Sequence, residues 1–244
     1  MSRSLVWVSG ASSGIGRAMV DTVPWKGARV IGISRKPSPA AEHLEADLAD
    51  PSSWAALGDA FRQELSGFAG DRVVFVHAAG AVGPIGFAEE LDTDAYTASV
   101  LLNSAAPQVV GQLFLAAARN VAAHRHLVML TSGAASSVYP GWAVYGAGKA
   151  TIDQWVRDVG AEQATRGGAQ VLAVAPGAVE TGLQEQLRET SEEEFPKRQK
   201  FLDLHKEGKL SDPYDTATAI WGLLGRDLDS GSVIDLRELA NPAG

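Results

Sequence analysis

LVWVSGASSGIGRAMV, residues 5–20, is the stretch that decides the fold of this chain. Its apolar start predicts a β-strand at residues 5–9, and its second half predicts a helix that begins near Ser13. Between them lies a G-x3-G-x-G turn, in which glycine lets the backbone bend sharply and approach a pyrophosphate. The helix N-terminus adds free N–H groups and the positive end of a dipole. The stretch predicts a dinucleotide-binding turn, with a merely structural tight turn as the alternative; the glycines are Gly10, Gly14 and Gly16.

The alternation of apolar runs and helical patterns continues along the chain. It predicts an α/β fold, a single doubly wound parallel sheet with helices on both faces. No repeat, low-complexity tract or linker interrupts the 244 residues, so we expect one domain over 1–244. The predicted strands are residues 5–9, 29–34, 43–47, 72–77, 126–131, 170–175 and 232–236, and the helices include 54–65, 95–120, 145–165 and 214–224.

Composition limits the classes of function. The absence of cysteine excludes disulfides and thiolate metal sites, and we expect no metal. A net charge of −8 argues against a nucleic-acid surface and requires that an anionic cofactor be held by local basic residues. The N-terminus enters a strand at once, and no apolar run approaches membrane-spanning length. We therefore expect a cytoplasmic protein with no membrane partner.

Tyr145 and Lys149 lie in TSGAASSVYPGWAVYGAGKA, residues 131–150, on a predicted helix. Side chains four residues apart share one helix face. A nearby ammonium favours the phenolate, so we expect Lys149 to lower the pKa of Tyr145 from its ordinary value of about 10. Tyr145 would then exchange protons near neutral pH. The alternative is a half-buried tyrosine with a satisfied hydroxyl and a solvated lysine.

Two further polar residues precede this pair. Ser132 follows a predicted strand, and ligands of open α/β sheets bind beyond the carboxyl ends of strands, where a serine can reach a substrate carbonyl. A capping role at the strand end is the alternative, which Ser136 and Ser137 suit equally well. Asn103 interrupts an apolar helical stretch, and a buried asparagine needs partners such as a backbone carbonyl and a water leading to Lys149. Taken alone, Asn103 fits a structural role better than a catalytic one.

The end of the second predicted strand bears on the choice of cofactor. NAD sites usually place an acid there for the ribose 2′-hydroxyl. This chain has GISRK at residues 32–36, with no carboxylate to repel a 2′-phosphate. Arg35, beside Ser34, can bind such a phosphate through its guanidinium fork. Arg17 is either a second contact or a solvated residue of the first helical turn. The pattern favours NADP over NAD.

Together these pieces resemble the short-chain dehydrogenase/reductase family. The resemblance implies that Ser132 polarises a substrate carbonyl and that Tyr145 moves the proton. It further implies that Lys149 lowers the pKa of the tyrosine and that Asn103 completes a proton relay. The matching pieces follow the family's order over nearly the whole chain: SGASSGIG at 9–16, Asp47-Leu48, HAAG at 77–80, Asn103, Ser132, Tyr145, Lys149 and PGAVET at 176–181.

The resemblance also implies a Rossmann domain whose cofactor contacts can be named. Asp47 matches the family's adenine contact, with a loop aspartate as the alternative. Ser9 replaces the usual threonine, and His77 replaces the first asparagine of the usual NNAG, which leaves the role of that side chain open. The expected cofactor residues are Gly10, Ser12, Ser13, Gly14, Ile15, Gly16, Arg17, Ser34, Arg35, Asp47, Leu48, Ala78, Ala79, Gly80, Tyr145, Lys149, Pro176, Gly177, Val179 and Thr181.

Within the family, the C-terminal third is most similar to sepiapterin reductases and the related benzil reductases. The similarity implies that Asp235 anchors a pterin and that Trp142 forms an aromatic pocket wall. The alternatives are that Asp235 caps the last strand and that Trp142 packs in the core. Residues 182–210 are rich in Glu, Gln, Lys and Arg. They predict a mobile lid over the substrate, with a solvated helix pair as the alternative.

The combined prediction is an NADPH-dependent carbonyl reductase that acts on a small ketone or diketone. An NADP-binding redox sensor with little turnover is the alternative, although such a protein can dispense with the tyrosine. We also expect a homo-oligomer, either a dimer or a tetramer.

Overall fold

The computed structural model describes residues 3–240, which form one parallel sheet of seven strands. The strand order is β3-β2-β1-β4-β5-β6-β7. The order in which strands are added reverses between β1 and β4, because β2 and β3 lie on one side of β1 and the later strands lie on the other. Ligands of such sheets bind at this reversal, beyond the carboxyl ends of the strands. The predicted α/β fold is confirmed. The strands are β1 (Ser4–Ser9), β2 (Arg29–Ser34), β3 (Glu42–Glu45), β4 (Arg72–His77), β5 (His124–Leu130), β6 (Gln170–Ala175) and β7 (Val233–Asp235).

Helices cover both faces of the sheet, as predicted. Two of them, α1 and α8, pack together on one face, while α2, α4 and α5 cover the other. The helices are α1 (Gly14–Asp21), α2 (Ser52–Leu65), α3 (Thr93–Val100), α4 (Ala106–Ala118), α5 (Ala143–Thr165), α6 (Gly182–Glu189), α7 (Arg198–Lys206), α8 (Pro213–Leu223) and α9 (Leu236–Ala240).

The core explains why β1 is apolar throughout. Its residues alternate between two buried faces, with Trp7 turned towards α2 and α4 and Val8 towards α1 and α8. The Trp7 ring lies 5.3 Å from that of Phe61 and 6.0 Å from that of Phe114, both in edge-on geometry. A strand buried on both faces carries a continuous hydrophobic run instead of an alternating one. The central strands thus hold their carboxyl ends, and the loops that follow, in fixed positions.

The helical segment predicted at 95–120 lies two residues earlier and is less regular than expected. It begins at Thr93, and between α3 and α4 the residues Leu101–Ala105 form a π-helical turn that contains the buried Asn103. Single π turns inside helices often occur at functional sites. Only the polar residue itself, Asn103, marks this turn in the sequence.

The same segment corrects the expectation that no apolar run approaches membrane-spanning length. Thr93–Ala118 spans 26 residues and reaches a mean hydropathy of 1.4, enough to cross a membrane by length and composition. A core helix passes the same test, and this one places Val110 and Phe114 in the core beneath the sheet. The earlier expectation failed because the apolar pieces on either side of Asn103 join into one helical segment.

Candidate active site

A cavity of about 1050 Å³ opens at the carboxyl edge of the sheet. It extends from the glycine-rich turn after β1 to the aromatic side chains near α7. Every predicted cofactor residue lines it except Arg17. Among the predicted catalytic and substrate residues, Ser132, Tyr145, Lys149 and Trp142 line it, whereas Asn103 and Asp235 do not.

The glycine-rich turn is shaped for close backbone approach. Gly10 has a φ of +69°, and a Cβ there would lie 2.9 Å from the Cα of Ala79, in the loop after β4. A Cβ on Gly16 would lie only 2.2 Å from the carbonyl oxygen of Gly10. Ser13 precedes α1 but its side chain does not cap the helix, so first-turn N–H groups remain for an anion. The turn fits a dinucleotide pyrophosphate.

The two departures from the family's usual pattern contact each other. Ser9 and His77 are partners in the β1–β4 register, and the Ser9 Oγ lies 3.2 Å from the His77 Nδ1. That Oγ already accepts hydrogen bonds from the N–H groups of Ala78 and Ala79, both at 3.1 Å. The hydroxyl therefore donates to Nδ1, and the proton of the neutral imidazole resides on Nε2. Burial lowers the pKa of His77 to about 3, so the ring stays neutral. The pair ties together the two loops that face the cofactor cavity.

Ser132 and Tyr145 both line the cavity wall. Ser132 follows the end of β5, and its Oγ also accepts from the N–H of Ala134 at 3.1 Å. Burial raises the pKa of Tyr145, and the Ser132 hydroxyl partly opposes that rise. The expectation that Lys149 would lower this pKa is not met, because complete burial of the phenol outweighs other influences. A phenol that stays protonated is the form required of a proton donor.

Lys149 lies one helical turn beyond Tyr145, with its Nζ 5.8 Å from the centroid of the tyrosine ring. Its Nζ donates to the carbonyl oxygen of Leu130 at 2.9 Å. Burial lowers the pKa of Lys149 to about 8, and the carboxylate of Asp153 opposes this. Asp153 lies a further turn along α5 and is 9 % exposed, and burial raises the pKa of its carboxyl. The sequence analysis missed Asp153, although its i+4 spacing from Lys149 was visible.

Asn103 fixes the loop after β4 and does not reach the cavity surface. Its Nδ2 donates to the carbonyl oxygen of Ala81 at 2.9 Å and to Ser99 at 3.1 Å, and its Oδ1 accepts from the N–H of Ala81. The predicted bond to a backbone carbonyl is present. A Cβ on Gly80 would lie 3.1 Å from the Oδ1 and 3.4 Å from the Lys149 Nζ, so Asn103 and Lys149 flank the same residue. The proton relay through Asn103 stays a prediction.

At the adenosine end of the cavity, Arg35 is 78 % exposed and free to meet a ligand. Its Nη1 lies 4.0 Å from the Oδ2 of Asp47, which follows β3. The end of β2 has no carboxylate, as the sequence shows, but Asp47 brings one from just after the neighbouring strand β3. Arg17 donates to Asp21 at 2.7 Å, one turn along α1, and lies outside the residues that line the cavity. Arg35 thus lines the cavity and Arg17 does not, and contact of either residue with a phosphate stays a prediction.

The opposite end of the cavity is walled by aromatic rings. Trp142 is 6 % exposed, and its ring centroid lies 5.1 Å from Tyr145, 4.8 Å from Phe195 and 5.2 Å from Tyr139. Phe201 of α7 completes this aromatic wall. Trp142 thus packs in a small core and also lines the cavity, and its contact with a substrate stays a prediction.

Residues 182–210 form α6, α7 and their connections beside this aromatic wall. Leu187 and Phe195 are buried against it, so the segment is more than a solvated helix pair. Glu180, just before the segment, accepts a hydrogen bond from Arg188 of α6 and pairs with His205 of α7, both at 2.9 Å. It therefore connects the two helices. The isolated apolar residues in a charged stretch were the sequence signal for this burial. Movement of the segment stays a prediction.

Asp235 ends β7 and is bound by Arg237, two residues later. The Oδ1 accepts from the Nε and the backbone N–H of Arg237, both at 2.9 Å, and the Oδ2 accepts from Nη2. This pairing lowers the pKa of Asp235. The cavity is lined by Arg237 and not by Asp235. The pterin anchor stays a prediction, and the structure adds Arg237, which the sequence analysis had not singled out.

Comparisons with known proteins agree with this geometry. The profile of the short chain dehydrogenase family matches residues 4–192. A benzil reductase ((S)-benzoin forming) of Bacillus cereus is 28% identical over 249 residues, covering 96% of this chain and 99% of the relative. A sepiapterin reductase of Mus musculus is 35% identical over 111 residues, 45% of this chain and 41% of the relative. The solved structure of the angucycline C-6 ketoreductase LanV with bound NADP superimposes with a TM-score of 0.76 at 23% identity, over 96% of each chain.

The chain therefore belongs to the short-chain dehydrogenase/reductase family. It is an oxidoreductase of the kind that uses a nicotinamide dinucleotide.

Proposed function

We propose that this protein is an NADPH-dependent carbonyl reductase that transfers a hydride to an aromatic ketone or diketone. The observation that carries the proposal is the group formed by Ser132, Tyr145 and Lys149. These residues line one continuous cavity, the serine hydroxyl acts to lower the pKa of the tyrosine, and the lysine lies one turn away. The proposal treats the chain as a single catalytic domain with residues 182–210 as the lid.

The proposed mechanism needs two hydrogen-bond donors at one oxygen. Ser132 and Tyr145 hold the substrate oxygen, and the negative charge that develops there is stabilised by both hydroxyls. A nicotinamide dinucleotide held along the cavity by residues such as Gly10, Gly14 and Arg35 would supply the hydride for the carbonyl carbon. Tyr145 delivers its proton to the oxygen as the C–H bond forms, so the product is an alcohol and the tyrosine is left as a phenolate. The protonated Lys149 stabilises that phenolate, and the proton is replaced from solvent past Asn103.

NADP as the preferred cofactor is supported by Arg35. A guanidinium binds a phosphate through two parallel hydrogen bonds, and this one is exposed at the cavity rim. The ketoreductase LanV, whose fold this chain shares, was solved with bound NADP. Asp47 beside Arg35 is half exposed, so solvent screens its repulsion of a 2′-phosphate.

The substrate class is supported by the aromatic wall. Trp142 and Tyr139 offer flat surfaces near the catalytic tyrosine, and aromatic ligands stack or pack edge-on against such rings. Benzil reductases match this chain over almost its whole length, and a sepiapterin reductase matches nearly half of it. Both names describe the reduction of carbonyl compounds that carry aromatic rings.

We also propose a homo-oligomer, a dimer or a tetramer, and a cytoplasmic location. Val100 and Val109, both on the α3–α4 segment, are 40 % and 37 % exposed. These two apolar side chains are candidate contacts with a second copy. Light scattering of the purified protein measures the mass directly, and a monomer at micromolar concentration would contradict the proposal.

The function is tested by following NADPH absorbance with benzil, sepiapterin and a simple aryl ketone. We expect turnover with at least one of them, and a product alcohol in equal amount to the NADPH consumed. The matched control is Tyr145→Phe, which keeps the ring against Trp142 but lacks the proton. Tight NADPH binding without turnover on any carbonyl would favour a redox sensor instead.

A further inference from the structure

We infer that Arg237 forms a second oxygen-binding position in the cavity, which selects substrates that carry a neutral hydrogen-bond acceptor beside the reacting carbonyl. The chemical class that fits is an aromatic vicinal diketone. The inference rests on the proposed reductase function and specifies the substrate of the same site.

The position of Arg237 follows from its contacts with two loops. Its Cγ and Cδ lie 3.3 and 3.4 Å from where a Cβ on Gly177 would be, and its Nη2 lies 3.4 Å from the corresponding point at Gly133. Gly133 directly follows Ser132, which holds the reacting oxygen in the proposed mechanism. The Arg237 side chain therefore spans from the loop after β6 to the loop that bears the catalytic serine.

The orientation of the guanidinium is set by Asp235. The carboxylate is engaged by Nε and Nη2, and its side chain is only 19 % exposed, against 65 % for Arg237. A guanidinium has five N–H donors in a planar fork. This pairing uses one on Nε and one on Nη2, which leaves two on Nη1 and one on Nη2. Because the carboxylate lies on one edge of the fork, the remaining donors point away from it.

The charge of the pair decides what those donors bind best. Asp235 balances the charge of Arg237, so the pair presents N–H donors without a net positive charge. A neutral carbonyl oxygen suits such a site better than a carboxylate does. The ring N–H groups of a pterin would have to compete with Arg237 for the Asp235 oxygens. The arrangement therefore favours an acceptor-bearing diketone over a donor-bearing pterin.

A vicinal diketone has its two oxygens on adjacent carbons. When one oxygen is held between Ser132 and Tyr145, the second oxygen lies a few ångströms away. This distance is similar to the distance from Ser132 to Gly133, beside which the Arg237 Nη2 lies. The aryl groups of the diketone then have the rings of Trp142 and Tyr139 as partners.

The test compares benzil with deoxybenzoin, which has the same two phenyl rings but a methylene in place of the second carbonyl. The two ketones differ in intrinsic reactivity, so the quantity that matters is how their kcat/KM ratio changes between wild type and Arg237→Met. A hydrogen bond from a charged donor corresponds to about tenfold or more in efficiency. We expect the benzil-to-deoxybenzoin ratio to fall at least about tenfold in Arg237→Met, with deoxybenzoin affected much less.

Two further variants keep the test decisive. Arg237→Lys retains the charge but not the planar fork, and we expect an intermediate ratio. Asp235→Asn leaves the guanidinium uncompensated, and we expect phenylglyoxylate, a keto acid, to improve relative to benzil. NADPH binding measured by fluorescence confirms that each variant is folded.

The possible failures are distinguishable. A wild type that reduces neither these ketones nor sepiapterin overturns the proposed function together with this inference, whereas one that reduces sepiapterin but not benzil overturns the inference alone. A wild type that reduces both, with the same ratio in Arg237→Met and Arg237→Lys, overturns the role of Arg237 alone. A strong preference for sepiapterin that is lost in Asp235→Asn would instead make Asp235 the substrate anchor.

Discussion

Replacement of Asp153 by asparagine should change how ketone reduction depends on pH. Asp153 is nearly buried one turn from Lys149, and its carboxylate favours the protonated lysine. Burial has the opposite and larger effect, so the two together place the pKa of Lys149 at about 8. Without the carboxylate, the lysine loses its proton at a lower pH. Because the proposed mechanism needs the protonated lysine beside the phenolate, activity should then fall at a lower pH.

The size of the wild-type effect follows from that pKa. With a pKa of about 8, about nine-tenths of Lys149 is protonated at pH 7 and about one-tenth at pH 9. The reduction rate should therefore fall about tenfold per pH unit above pH 8. His77 and Tyr145 do not titrate in this range, because the pKa of His77 is lowered to about 3 and that of Tyr145 is raised above its ordinary value.

The assay is kcat/KM for the ketone at saturating NADPH between pH 6 and pH 10. We expect a single alkaline limb near pH 8 in wild type and the same limb at lower pH in Asp153→Asn, with most activity recovered at pH 6. Lys149→Arg is the matched control, because a guanidinium stays protonated throughout this range. Any activity it retains should show no limb.

Two results would refute this reasoning. Flat wild-type activity to pH 10 would mean that Lys149 does not lose its proton near pH 8. An unmoved limb in Asp153→Asn, with a uniform loss of activity at every pH, would show that Asp153 has only a structural role.

Three further predictions concern the acid, the cofactor and the loops. Tyr145→Phe should lose about a hundred- to ten-thousand-fold in kcat while binding NADPH normally, and near-normal turnover would contradict its role as the acid. Arg35→Asp should weaken NADPH relative to NADH in titrations of both cofactors, and an unchanged preference would show that Arg35 does not meet the phosphate. Ser9→Ala removes the partner of two backbone N–H groups and of His77, so urea unfolding should show a loss of about 1–3 kcal/mol. The exposed control Ser136→Ala should change stability by less than about 0.5 kcal/mol, and equal losses would count against the Ser9 network.

Local patterns determined much of this protein. The apolar run and glycines of residues 5–20 specify a strand, a turn and a helix, because each depends on neighbours a few residues away. The Tyr145–Lys149 spacing fixes one shared helix face for the same reason. Strand ends were predicted less well: β3 ends at Glu45 and not at residue 47, since an edge strand stops where its partner β2 stops offering hydrogen bonds.

The tertiary structure alone decided the properties that depend on distant segments. The Tyr145–Lys149 spacing predicted a lowered pKa for Tyr145, but burial raises it. Desolvation depends on the whole fold around α5, which local spacing does not describe. Asp47 came within 4.0 Å of Arg35 because β3 pairs with β2 at the sheet edge. Arg237 entered the cavity because β7 lies beside β6, which brings the C-terminal residues against the glycines of two earlier loops. Desolvation and contacts between remote segments depend on how the whole chain folds, so local sequence spacing does not predict them.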